Sequence, residues 1–178
     1  YMDGYLTISS GTFNNNNASN NGGGILSNGT ITMNGGSITN NYSGWDGGGV
    51  NSRVTFNFNG GAIQNNTAYW LGGNIHVQAV DNINNKQSVF TVTSKNPISG
   101  GKAEGSGGGG VCVYGTGAKL ILNDGTSVKD NTAPTGGGIN GNAAVEMKNA
   151  TISGNKATSN NGGGIELFSD QYGTGSFK

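Results

Sequence analysis

Catalysis and metal binding each need a few particular side chains brought together, and this sequence supplies few of them. Its carboxylates are Asp3, Asp46, Asp81, Glu104, Asp124, Asp130, Glu146, Glu166 and Asp170. Polysaccharide-cleaving enzymes need two carboxyl groups facing one bond, about 5–10 Å apart. His76 is the lone histidine and Cys112 the lone cysteine. Together they offer two metal ligands where zinc takes three or four. A single histidine also gives a Ser-His-Asp arrangement little support. Asp81 with Asn82, Asn84 and Asn85 is the one oxygen-rich cluster of the kind Ca²⁺ takes. "GSGGGG" at 105–110 lacks the Lys-Ser/Thr and the helix of a phosphate loop.

Aromatic residues make a more specific pattern. Tyr42 and Trp45 fall in one stretch, and Tyr69 and Trp70 in another about 25 residues later. Trp45 lies seven residues after Ile38, and Trp70 seven after Ile63. Exposed rings beside a carboxylate, here Asp46, suit stacking against a sugar or a protein partner. The competing reading is that the rings pack on each other, against the body, or under a second subunit.

The equal offsets point to elements that repeat. A glycine cluster followed by a β-branched residue recurs, ending at Ile25, Val50, Ile75, Val111, Ile139 and Ile165. The gaps are 25, 25, 36, 28 and 26 residues, and the longest holds an insertion at 78–88. An apolar anchor with Asn three positions later keeps the same phase: Phe13 and Asn16, Ile38 and Asn41, Ile63 and Asn66, Val128 and Asn131, Ile152 and Asn155. Ile98 follows suit with Gly101 in place of Asn. Five residues past each anchor stands a small side chain: Ala18, Ser43, Ala68, Ala103, Ala133 and Ala157. An apolar-x-apolar pair also recurs, from Leu6 and Ile8 to Val145 and Met147. Period two is the strand signature, and no segment holds a 3.6 period over a helix's length.

These units predict an all-β fold: a right-handed, single-stranded parallel β-helix of six to seven coils of about 25 residues, with three short strands each. Handedness follows from the rule for parallel crossovers. The 36 glycines and 28 asparagines supply corners, where the backbone often needs φ > 0. Like residues should stack on like, and stacked Asn amides should hydrogen-bond between coils. Residues 1–178 read as one β-helix domain, and "YMDGYLTIS" already looks like mid-repeat sequence. A piece of a longer repeat protein is therefore expected.

On this phase the carboxylates fall at different positions, mostly in different coils, and form no dyad. Glu146 lies between inward Val145 and Met147 and should point outward. His76 follows inward Ile75, so it too should face out, sharing a column with Asn51, Cys112 and Glu166, as polar positions exposed or covered by the 78–88 insertion. Thr7, Thr32, Thr55 and Thr91 lie at similar phase, as an ice-binding array would require, but Ile121 and Glu146 interrupt the column. Net charge is zero with nine basic residues scattered along the chain, which argues against nucleic acid. No run approaches the ~20 apolar residues of a membrane span.

The unit resembles the repeats of chlamydial polymorphic outer-membrane proteins, marked by FxxN and by GGA before Ile, Leu or Val. "FNNN" at 13–16 fits literally; the other units read IxxN or VxxN, with "GGGI" or "GGGV" for the second motif. Adhesin-like β-helix proteins share these features. The resemblance implies a surface-exposed, autotransporter-like adhesive segment, although the family's barrel and leader are not seen in this stretch.

The resulting expectation is a non-catalytic extracellular adhesin or structural stalk that presents loops. Its partners would be host or microbial glycans, surface proteins, or further copies joined end to end, with no cofactor and no metal. The alternative from another class is a polysaccharide lyase or hydrolase, and a remoter one is ice binding.

Overall fold

The computed structural model describes residues 4–79, 87–159, 161–170 and 173–177. Four parallel sheets run along it: a seven-stranded sheet A and six-stranded sheets B, C and D. The first coil contributes Tyr5–Ile8, Thr12–Asn14, Asn17–Ala18 and Ile25–Ser27 to A, B, C and D in turn. Each later coil repeats that order, so the chain winds as a parallel β-helix. Ile38 pairs with Phe13 on one side and Ile63 on the other. Leu6, Ile31, Phe56, Phe90, Leu120 and Val145 form one continuous column, as the apolar pairs require.

Sheet C is an addition to the three expected strands per coil. Its strands are two residues long in every coil, centred on the small-residue positions Ala18, Ser43, Ala68, Ala103, Ala133 and Ala157. Two residues are too few to show a period in sequence. Between Leu167 and the last strand of sheet A, Ser169–Asp170 pairs antiparallel with Gly173–Thr174. Ser176–Phe177 then joins sheet A beside Ala144–Met147, in keeping with the start of a seventh coil. The insertion at 78–88 leaves Gln78 in sheet D and returns at Ser88 in sheet A; residues 80–86, including Asp81, Asn82, Asn84 and Asn85, lie outside the described residues.

The core is made of the predicted columns. Ile38, Ile63, Ile98 and Val128 are fully buried, with Phe13 and Ile152 half-buried at the two ends. Val50, Ile75, Val111 and Ile139 are likewise buried between Ile25 and half-buried Ile165. Phe56 and Phe90 stack at 4.8 Å between ring centroids. Each such side chain removed from water contributes roughly 1.5–3 kcal/mol. The corner between sheets B and C is set by one left-handed residue per coil: Asn15, Asn40, Asn65, Gly100, Asp130 and Gly154, with φ between 56° and 64°. Only Gly, Asn and Asp occur there, the residues for which that conformation is cheapest.

Just inside that corner runs the asparagine ladder. The backbone N–H and the Nδ2 of Asn16 both donate to Asn41 Oδ1, each at 2.9 Å. Asn41 donates in the same way to Asn66, and Asn131 to Asn155. The second Nδ2 proton goes back to the anchor carbonyl of the coil before: Asn41 to Phe13, Asn66 to Ile38, Asn155 to Val128. The rungs thus leave almost no amide group of the buried asparagines unpaired, which is the condition for placing them there at all.

The sequence shows a gap in this ladder at Gly101, and the structure fills it. Asn74 takes the third place of its coil's glycine cluster, where the other coils have Gly24, Gly49, Gly110, Gly138 and Gly164. Its Oδ1 accepts from Asn66 N (3.1 Å) and Asn66 Nδ2 (2.9 Å), and its Nδ2 donates to Ser99 O and Asn131 Oδ1. Space forces the exchange. A Cβ on Gly49 or Gly110 would come within 2.8 and 2.9 Å of the neighbouring ladder amide. A Cβ on Gly101 would lie 2.5 Å from Asn74 Nδ2. Asn74 at the end of the third coil's glycine cluster therefore stands in for the rung missing at Gly101 of the fourth coil, and the network is kept.

Candidate functional site

Between sheets C and D each coil extends an arm that ends in the glycine cluster. In the second coil the arm is Gly44–Trp45–Asp46, and the chain reverses at Gly47 to enter sheet D at Val50. Gly47 has φ +66°, and a Cβ there would lie 2.4 Å from Val50 O, so this reversal is closed to any larger residue. Neighbouring arms are bonded through their backbones. Trp45 N donates to Asn20 O, Trp70 N to Trp45 O, and Gly47 N to Leu71 O.

That ladder places Trp70 directly over Trp45, as the shared offset from Ile38 and Ile63 predicts. Their ring centroids are 6.1 Å apart and the planes 19° from parallel. Trp45 is 50% exposed, Trp70 40% and Tyr69 48%. The far side of Trp70 leans on Gly105, where a Cβ would fall 2.7 Å from a ring carbon. Tyr42 stands apart on the outer face of sheet C, half-buried between Asn17 and Thr67.

Asp46 does not join the aromatic patch. It turns the other way and is 9% exposed. Asp46 N donates to Asn21 Oδ1, and Asp46 Oδ1 accepts from Leu71 N at 3.2 Å, so its carboxylate ties the two tryptophan-bearing arms together. Its Oδ2 is 3.6 Å from His76 Nδ1, beyond hydrogen-bonding range. The Asn51 amide nitrogen lies 3.2 Å from His76 Nδ1.

The expectation that His76 and its column face outward into solvent is corrected here. Asn51, His76 and Cys112 do point away from the core, yet they are 1%, 1% and 0% exposed. The arms fold back across the outer face of sheet D and give the wall a second layer: Asp46 reaches His76, and Thr135 Oγ1 accepts from Asn140 Nδ2. The alternation rule assigns the side of the sheet but does not say what covers it. A sequence clue existed in the polar residue just before four of the six glycine turns: Asn21, Asp46, Thr135 and Asn161.

Burial sets the chemistry of this layer. It raises Asp46 from 3.8 to about 6, against the Leu71 N–H and the positive charge of Arg53, which lower it. It lowers His76 from 6.5 to about 4, with Arg53 acting in the same direction. The Cys112 thiol is pushed well up by burial and then by the Asp46 charge, so it is no nucleophile. His76 Nε2 and Asn51 Oδ1 have no hydrogen-bond partner among the described residues.

The remaining carboxylates stay on separate faces. Glu104 pairs with Lys102 (2.8 Å), Glu146 points outward to Lys119 (2.7 Å), Glu166 accepts from Asn140, and Asp124 accepts from Asn149. Asp3 lies outside the described residues, as does the side chain of Asp170. Among the described residues no three His, Cys, Asp or Glu side chains gather as a metal-binding group. The column proposed for ice binding reads Thr7, Thr32, Asn57, Thr91, Ile121, Glu146; Thr55 lies two residues off it. No helix among the described residues is long and apolar enough to cross a membrane. No family model, curated protein or solved structure matches this chain.

Proposed function

We propose that this chain is a stiff segment of an extracellular adhesin or surface fibre, and that the paired arms at Trp45 and Trp70 are its contact point for a glycan or protein surface. The observation that carries this reading is the exposed tryptophan stack, held on a backbone ladder and braced by a buried carboxylate. Two large rings left in water are a cost to a monomer unless something covers them. A parallel β-helix fixes their spacing and direction without a mobile loop, which reduces the ordering cost of binding. The motif resemblance to polymorphic outer-membrane and adhesin-like repeats points the same way, as does the absence of net charge. End-to-end stacking into a filament belongs to the same proposal.

The test is adhesion of beads coated with the chain to glycan-printed and protein-coated surfaces. The expected result is retention that falls to background in Trp45→Ala/Trp70→Ala while the far-UV circular dichroism is unchanged. Retention equal to that of the unaltered chain would remove the arms from the function.

A further inference from the structure

We infer that the arm binds a neutral pyranose ring on one surface only, the face of Trp45 turned toward the first coil. This deepens the adhesion reading and rests on it. Both rings are exposed, but they are not equivalent. Trp70 lies between Trp45, stacked on one side, and the Gly105 backbone, against which its other side leans. Each of its faces is partly covered, one by the offset Trp45 ring and the other at an edge by Gly105. Trp45 has Trp70 behind it and only the first coil's arm in front. Backbone bonding puts Asn20 directly opposite Trp45, and the residues there, Ser19 and Asn20, are short and exposed. The Trp45 face toward the first coil is therefore the less covered of the pair, with hydroxyl and amide groups along its edge.

The chemistry of that edge selects the ligand. An aromatic face is electron-rich and attracts the positively polarised C–H groups on one side of a pyranose, while Ser19 and Asn20 can hydrogen-bond ring hydroxyls. The arm's one charged side chain, Asp46, points into the wall rather than toward the Trp45 face. A uronate or an ammonium sugar would therefore find no counter-charge on the arm itself. One ring face is also far smaller than the roughly 800 Å² that each partner gives to a stable protein interface. Trp70 serves as the backing that holds Trp45 upright.

The experiment is titration of the intact chain with cellohexaose, mannohexaose, galactohexaose and polygalacturonate, followed by tryptophan fluorescence and by the two indole N–H resonances. Binding of at least one neutral hexaose is expected, with the Trp45 resonance shifted most. Trp45→Ala should weaken it at least about tenfold, Trp70→Ala about three- to tenfold, and Tyr5→Ala, altering an exposed ring on sheet A, should leave it unchanged. Loss that is greater in Trp70→Ala than in Trp45→Ala would overturn the assignment of the face. Preference for polygalacturonate would overturn the neutral ligand. Equal loss in Tyr5→Ala would reduce the effect to nonspecific stickiness. Failure of every sugar, together with tryptophan-dependent retention on protein-coated beads, would overturn this inference and leave the adhesion reading standing.

Discussion

Exchanging residues 74 and 101 tests whether the asparagine ladder, rather than the apolar columns alone, holds the coils in register. In Asn74→Gly, Asn66 N and Asn66 Nδ2 lose their acceptor, and Ser99 O and Asn131 Oδ1 each lose a donor. Two buried donors left unpaired cost about 1–3 kcal/mol each, so a loss of about 2–6 kcal/mol is expected. Gly101→Asn alone crowds two amides into one site, with its Cβ 2.5 Å from Asn74 Nδ2, and presses on the backbone at Gly109 O, 2.2 Å away. Overpacking of this kind costs about 1–3 kcal/mol. The double variant, with glycine at 74 and asparagine at 101, restores the arrangement of the other coils and returns an Nδ2 proton to Ile63 O. Its cost should be well below the sum of the single costs, giving a coupling energy of at least about 2 kcal/mol in the favourable direction. Urea unfolding of the four proteins measures this directly. Additive single effects, or an Asn74→Gly cost under about 1 kcal/mol, would refute the claim that Asn74 replaces the missing rung.

Other outcomes follow from the same geometry. Asn65→Gly should be nearly neutral, because Gly100 and Gly154 occupy the matching left-handed corner, whereas Asn65→Val should cost about 1–2 kcal/mol in thermal or urea melts. Equal melts for the two would remove backbone conformation as the reason for Asn at that corner. The buried pair makes opposed pH terms. His76, lowered to about 4, removes stability as pH falls from 6.5 toward 4, while Asp46, raised to about 6, adds stability as pH falls from 6 toward 3.8. Asp46→Asn should therefore lose stability on acidification relative to the unaltered chain, and His76→Gln should gain it, each by up to about 1.4 kcal/mol per pH unit; parallel profiles for both variants would refute this. Ala68→Leu, at a fully buried position of sheet C, should lower the melting temperature through overpacking, and an unchanged melt would show that the coils can spread there.

The solenoid was readable because its evidence accumulates along the chain. Ile38 over Phe13 and Ile63 over Ile38 are each weak as single matches, but the same phase recurs in every coil. The Trp45–Trp70 stack was readable for the same reason, as a shared offset from those anchors. Features that depend on one coil meeting another out of phase were not. Asn74 belongs to a glycine turn by position and to the asparagine ladder by contact, and only the fold brings those together. The outward side assigned to His76 is correct, but the arm that buries it, and that turns Asp46 away from the aromatic patch, is a second layer which alternation cannot see. Thr55 falls two residues off the threonine column, where Asn57 pairs with Thr32.

The asparagine ladder is directional: each rung receives on its oxygen from the coil before and gives from its nitrogen to the coil after. A lap with the usual pattern, set between two others, would therefore leave no ladder amide stranded. The lap carrying Asn74 is the exception. A crossover falling between positions 74 and 101 would join an exchanged turn to an ordinary rung and leave either two amides in one socket or none. Positions 74 and 101, on two successive laps, thus form one unit of the ladder.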